Sequence, residues 1–243
     1  MSSAVAPAPV KTRIVIPGAE AKSEREGLHP WQDCGPIAEL DALHICPQFA
    51  ARYPLTLAIV QELHREYVAY GHWRGGGCYL SDIYWHLTEY VKAPIAGYIP
   101  YAEPANLDAL HTFIKRHMLL QNPVIVEVGR AYNLPQNEAG VNYHFVTLAG
   151  IDSDAGYLVL NGDTREALTT AHNIVQAYWA SWATLQAAHL CGAIAVKRIV
   201  PTPPPVTPTP PPTPPVGDSS SENLTLAQQA LSALQTLVAK LGG

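Results

Sequence analysis

The 243-residue sequence contains little charge, few cysteines and no long apolar run. Charged residues make up 14% of the chain and the net charge is −5, which disfavours a basic surface that would attract nucleic acid. No run approaches the roughly 18 consecutive apolar residues that a membrane-spanning helix needs. The four cysteines are scattered without a CxxC pair, which disfavours a disulfide framework and a zinc site. We therefore expect no nucleic acid partner, no membrane span, no metal and no cofactor.

The start of the sequence lacks the features of a secretion signal. Its first residues, MSSAVAPAPVKT, have no cationic start followed by an apolar stretch. We therefore expect a protein that is cytoplasmic as made, and that would reach the outside of its cell by lysis or on a virion. Hydrophobic residues make up 48% of the chain, which is enough for a sizeable core and excludes global disorder.

Proline marks the clearest boundary in the chain. Residues 201–215 read PTPPPVTPTPPPTPP, with ten prolines in fifteen positions. Such a run cannot form a helix or a sheet, and it favours polyproline II, in which it would span about 45 Å. We expect a linker over residues 201–222 that acts as an inert stalk, with recognition by a proline-binding domain as the alternative.

The last segment, residues 223–243, has the pattern of an amphipathic helix. Its apolar residues recur at heptad spacing: Leu224, Ala227, Leu231, Leu234, Val238 and Leu241. So short a helix is marginal alone, and Lys240 is the only charged residue between positions 224 and 241. An exposed apolar stripe of this kind promotes aggregation. We therefore expect self-association, or binding of a partner protein, through this helix.

Between a flexible N-terminus (residues 1–12) and the linker, residues 13–200 have the pattern of one globular domain. Helical patterns come first, at residues 35–46, 54–70, 80–91 and 107–119, after one short strand at 13–17. Strand patterns follow, at residues 123–129, 143–151, 156–162 and 193–199, and we expect residues 165–189 to be helical or irregular. This order predicts an α+β fold with an antiparallel sheet, and it disfavours alternating βα units.

One cysteine has the setting of a nucleophile. Cys34 lies at the start of a predicted helix, where exposed N–H groups and the helix dipole favour a thiolate. A thiol needs a base, and His144 opens a predicted strand. If this strand and the next pair as a hairpin, His144 lies beside Asp163, which ends the second strand. Asn161 precedes Asp163 by two residues and is the alternative residue to orient the histidine.

Four segments together resemble a known family. They are DCGP before an apolar helix, NPVIVEV, YHFVTLAGID and GYLVLNGDT. They resemble the papain-like cysteine peptidases that cut double-glycine leaders from bacteriocins, and the free-standing bacterial and phage relatives of those enzymes. The resemblance covers roughly residues 25–198. It implies a papain-like fold, with N-terminal helices packed on a C-terminal antiparallel sheet. It also implies that Cys34 is the nucleophile, His144 the base and Asp163 the orienting acid.

The sequence departs from this family at the oxyanion hole. Family members usually have a glutamine about six residues before the cysteine, where this chain has Leu28. Gln32 lies two residues before Cys34. Either Gln32 substitutes for the missing glutamine through a shortened loop, or another donor assists the backbone N–H of Cys34.

The resemblance implies a cysteine peptidase, or a related thiol hydrolase, that cleaves peptide or amide bonds through an acyl-enzyme. The expected substrates are peptides, proteins or peptidoglycan, as for a phage or bacterial enzyme that degrades cell walls or proteins. Two alternatives remain open from the sequence. One is a catalytically inactive papain-like module for binding or assembly, and the other is an acyltransferase that uses the same triad.

Overall fold

The computed structural model describes residues 11–22, 32–74, 76–101, 106–135, 142–162, 174–175 and 177–201. The chain divides after Pro201, and the second unit, Thr202–Gly243, lies outside the described residues. The proline-rich linker and the heptad helix therefore remain predictions. Among the described helices, none combines the length and apolar character needed to cross a membrane.

The described part of the chain contains nine strands and five α-helices. Strands β1 (Arg13–Val15) and β2 (Ala21–Lys22) precede helices α1 (Cys34–His44), α2 (Leu57–Ala69) and α3 (Leu80–Trp85), and α3 continues as a π-helical turn (His86–Tyr90). Next come β3 (Ile95–Ile99), α4 (Leu107–Leu119), β4 (Val124–Val128), a 3-10 turn (Ala131–Asn133), β5 (His144–Asp152) and β6 (Gly156–Leu160). The last elements are β7 (Ile174–Val175), β8 (Tyr178–Ala180), α5 (Trp182–Ala187) and β9 (Leu190–Val196).

The strands form one large antiparallel sheet. Its main order is β3-β9-β4-β5-β6-β8, and β1 joins as a seventh strand along the second half of β5. Strands β2 and β7 form a separate antiparallel pair. The predicted α+β class and the predicted hairpin of β5 and β6 are confirmed, since Thr147 pairs with Leu160. The sequence missed β2 and β3, and it missed β7 and β8 within the segment expected to be helical or irregular.

The sheet separates two apolar layers. Alternate residues of β4 face opposite sides, so that Val126 belongs to one buried cluster and Ile125 to the other. Helix α4 covers the first side with Leu110, Ile114 and Met118. Helices α1, α2 and α3 cover the other side. Helices thus protect both faces of the central strands.

Helix α1 lies across β5 and is buried along nearly its whole length. Its residues from Gly35 to Leu43 are all buried. The hydroxyl of Thr147 on β5 donates a hydrogen bond of 2.7 Å to the carbonyl oxygen of Ala38. This bond fixes the position of α1 along β5. The start of α1 thereby lies near the N-terminal end of β5, where His144 is the first residue.

A buried polar network joins α1 to its neighbouring helices. The imidazole of His86 lies between two carboxylates, with Nδ1 2.7 Å from Oε1 of Glu39 and Nε2 3.1 Å from Oε2 of Glu66. The hydroxyl of Tyr67 also donates to Glu39. Burial opposes a charged ring, but the two carboxylates outweigh it and raise the pKa of His86 to about 9. His86 is therefore a cation at neutral pH and donates both of its N–H groups.

The His86 network predicts a loss of stability at alkaline pH. The ring binds its proton more tightly in the folded state, with a pKa of about 9 against 6.5. Its contribution is therefore complete below pH 6.5 and is lost as the pH rises through about 9, a change on the order of 3 kcal/mol. Urea unfolding from pH 6 to 10 should show this decline in the wild type and a weaker one in His86→Gln.

A second variant keeps this test decisive if His86→Gln does not fold. Glu66→Gln removes one of the two carboxylates and should move the decline to lower pH, because the pKa of His86 falls. Identical pH profiles for the wild type and Glu66→Gln would contradict the assignment.

The turn between β5 and β6 depends on a glycine. Gly156 has a φ of 96°, and an added Cβ would lie 2.3 Å from the carbonyl oxygen of Ala180. Gly18 has a similar φ of 80°, but its added Cβ would have nothing within 4 Å. We expect Gly18→Ala to lose about 1 kcal/mol through backbone strain, and Gly156→Ala to lose about 3 kcal/mol or more because the backbone must also shift. Urea unfolding of both variants measures the difference, and equal losses would show that the close approach to Ala180 is wrong.

Candidate functional site

Cys34 is the first residue of α1 and is half-buried. The preceding residue, Asp33, is firmly anchored. Its fully buried carboxylate lies 2.6 Å from Nδ1 of His64 on α2. The ring of His64 in turn packs on Trp73, with 4.2 Å between the ring centroids. Contacts of Asp33 therefore fix the position of the Cys34 backbone, and Cys34 itself is partly exposed.

The start of α1 approaches two other segments very closely. A Cβ added to Gly35 would lie 2.2 Å from Sγ of Cys78 and 3.7 Å from the ring of Phe145. Glycine is therefore required after Cys34, since any side chain would collide with Cys78. Because Cys34 precedes Gly35 and His144 precedes Phe145, the structure brings the first turn of α1 to the first residues of β5.

His144 is held by an amide. The side chains of His144 and Asn161 are both buried, and Nε2 of the imidazole lies 2.8 Å from Oδ1 of Asn161. An amide oxygen can only accept, so Nε2 carries the proton and Nδ1 is the basic nitrogen. The amide is oriented by Tyr178, whose hydroxyl accepts a hydrogen bond of 3.3 Å from Nδ2 of Asn161. The contact with the ring is thus made by the alternative orienter, Asn161, and the favoured residue, Asp163, lies outside the described residues.

Gln32, the residue considered for the oxyanion hole, is half-buried just before α1. The glycine-rich segment before Cys78 passes beside it, and a Cβ added to Gly77 would lie 3.6 Å from the Gln32 carbonyl oxygen. This places the Gln32 backbone near the start of α1, while its role as a donor stays a prediction.

The other three cysteines are poor nucleophiles. Burial raises the pKa of Cys46 to about 12 and that of Cys191 to about 11. Burial and the neighbouring Cys34 raise the pKa of Cys78 well above its usual value. These thiols are protonated at neutral pH. Within the described ranges, no group of three or more histidine, cysteine and acidic residues is arranged to hold a metal ion.

A cavity of about 370 Å³ lies near the segments that carry Cys34 and His144, since its lining includes Cys78, which approaches Gly35, and the residues on either side of His144. It is lined by Arg74, Gly76, Gly77, Cys78, Tyr79, Glu127, Tyr143 and Phe145. The sequence analysis identified none of these residues as functional, and it also missed Tyr178. One signal was visible in the sequence, because Glu127 is the only charged residue of the apolar segment PVIVEVG.

Comparisons with known proteins do not identify a family. No protein-family model matches the sequence, and no curated protein is significantly similar to it.

Proposed function

We propose that this protein is a papain-like cysteine hydrolase that cleaves peptide or amide bonds through an acyl-enzyme on Cys34. The observation that carries the proposal is the buried hydrogen bond between His144 and Asn161. His144 is the first residue of β5, and α1 begins near this end of the strand with the half-buried Cys34. A nucleophile, a base and a residue that orients the base are the three parts that thiol hydrolysis requires. The resemblance of four sequence segments to papain-like peptidases supports the same assignment.

The reaction would proceed in two halves. Nδ1 of His144 accepts the thiol proton as Sγ of Cys34 attacks the carbonyl carbon of the substrate. The C–N bond then breaks, the imidazolium gives its proton to the leaving amine, and a thioester remains on Cys34. Water next attacks the thioester with His144 as the base, and this step releases the carboxylic acid and restores the thiol. An acyltransferase would differ only in that an amine replaces water in the second half.

Two groups would support the charges that develop in this reaction. The Asn161 oxygen keeps the proton on Nε2 and so maintains Nδ1 as the basic nitrogen. The backbone N–H of Cys34 at the N-terminus of α1 is the first donor to the oxyanion, and Gln32 is the expected second donor. The substrates that we propose are peptides, proteins or peptidoglycan, as for a bacterial or phage hydrolase.

Alkylation tests the proposed nucleophile directly. At pH 6 a free cysteine is almost entirely protonated, whereas a thiol paired with a histidine retains thiolate. We expect iodoacetamide at pH 6 to modify Cys34 at least about tenfold faster than N-acetylcysteine. Mass spectrometry of the digested protein should place a single adduct on Cys34 and none on Cys46, Cys78 or Cys191. A Cys34 rate no greater than that of the free thiol would favour an inactive binding module.

A pair of substitutions tests the orienting role of Asn161. Asn161→Ala removes the acceptor for Nε2–H and should slow alkylation of Cys34 at pH 6 by about ten- to hundredfold. Asn161→Asp keeps an oxygen acceptor and should recover most of the rate, a rescue that a purely structural role would not produce. Asn133→Ala is the matched control, since Asn133 is an exposed residue that donates to Ala187. Equal rates for Asn161→Ala and the wild type would contradict the role of Asn161.

A further inference from the structure

Glu127 has an unusual environment for a carboxylate. It lies in the middle of β4, where it pairs with Phe145 on one neighbouring strand and with Gly192 on the other. Its sheet face is shared with the buried Ile125 and packs beneath the apolar helices. Burial raises the pKa of the Glu127 carboxyl, and no hydrogen bond or ion pair from the described residues offsets this effect. Such a carboxylate lowers the stability of the fold, which points to a role in binding.

Glu127 lines the cavity near the segment that carries the proposed nucleophile. The cavity walls include Phe145 and Tyr143, the two neighbours of His144 in the chain, and Cys78, which packs on the residue after Cys34. The cavity therefore adjoins the two segments that carry the proposed nucleophile and base.

The other charged residue of the cavity has a carboxylate within ion-pair distance. Nη2 of Arg74 lies 3.8 Å from Oδ1 of Asp82, and its guanidinium lies 5.1 Å from the ring centroid of Tyr79. The charge without a partner in this cavity, among the described residues, is therefore the negative charge of Glu127. Two tyrosines at the cavity are strongly exposed, Tyr79 at 57% and Tyr143 at 75%. Exposed aromatic rings of this kind bind the methylene groups of a long side chain.

We propose that this cavity is a specificity pocket for a lysine-type substrate side chain, with Glu127 as the residue that binds its terminal ammonium group. The aliphatic part of the side chain lies against Tyr79, Tyr143 and Phe145, and the ammonium group donates to the carboxylate. This inference rests on the proposed function for the reaction at Cys34, but the binding preference can be measured without that reaction.

Affinity labels test the preference during reaction. Acetyl-dipeptide chloromethyl ketones alkylate a thiol with loss of chloride, and they can be made with lysine or with norleucine, its uncharged counterpart. The variable residue is placed first or second from the ketone, because the cavity adjoins the segments that carry Cys34 and His144. In one of the two positions we expect the lysine reagent to modify Cys34 at least about tenfold faster than the norleucine reagent. This ratio should fall to near one in Glu127→Gln and should persist in Glu89→Gln, whose carboxylate pairs with Lys92 outside the cavity.

Equilibrium binding separates the pocket from the chemistry. In the Cys34→Ala variant, NMR titration with acetyl-dipeptide amides should give a dissociation constant several-fold lower for the lysine peptide than for the norleucine peptide. The added Glu127→Gln substitution should abolish the difference. If Cys34 reacts with no reagent but this preference remains, the hydrolase assignment fails and the pocket stands. Equal binding, a preference that survives Glu127→Gln, or tighter binding of a glutamate peptide would overturn the pocket.

Discussion

The packing of α1 across β5 is the constraint on which the rest of the structure depends. Gly35 brings the helix start against Cys78 and Phe145, and Thr147 holds the helix further along through the Ala38 carbonyl. Cys34, the proposed nucleophile, precedes Gly35, and His144, the proposed base, precedes Phe145. Their geometry is therefore decided by the helix-on-sheet packing, which is rigid because protein cores are close-packed. No mobile loop is needed to bring these two backbones together.

The carboxylates around the site fall into two groups with different physical roles. Asp33 and Glu39 each have a histidine partner, His64 or His86, and each pair joins α1 to a neighbouring helix. Breaking such a buried pair leaves an uncompensated charge, so these residues stabilise the helical layer. Glu127 has no partner of this kind in the described part of the chain. The contrast between partnered and unpartnered carboxylates distinguishes residues that hold the fold from one available to a ligand.

Local patterns were sufficient to predict most of the core elements from the sequence. The apolar runs of β4, β5 and β9 and the amphipathic pattern of α2 each have one dominant periodicity. Strand β8 was missed because its three residues do not stand out as a separate apolar run within the segment around them. The choice between Asn161 and Asp163 could not be made either, because it depends on where the ladder of β5 and β6 ends and on the hydroxyl of Tyr178. The Glu127 pocket is formed by three segments that are distant in sequence, and no local sequence pattern shows that they come together.

The pairing of β1 with β5 has a consequence for how the molecule is made. Arg13 pairs with Asp152, so the first strand of the sheet finds its partner only after most of the domain has left the ribosome. The same is true of the helix that begins with Cys34, because Thr147, which supports it on β5, lies 109 residues after Ala38. Contacts of such long sequence separation slow folding. The nascent chain therefore carries the helix of the proposed nucleophile without its supporting strand until β5 has been made.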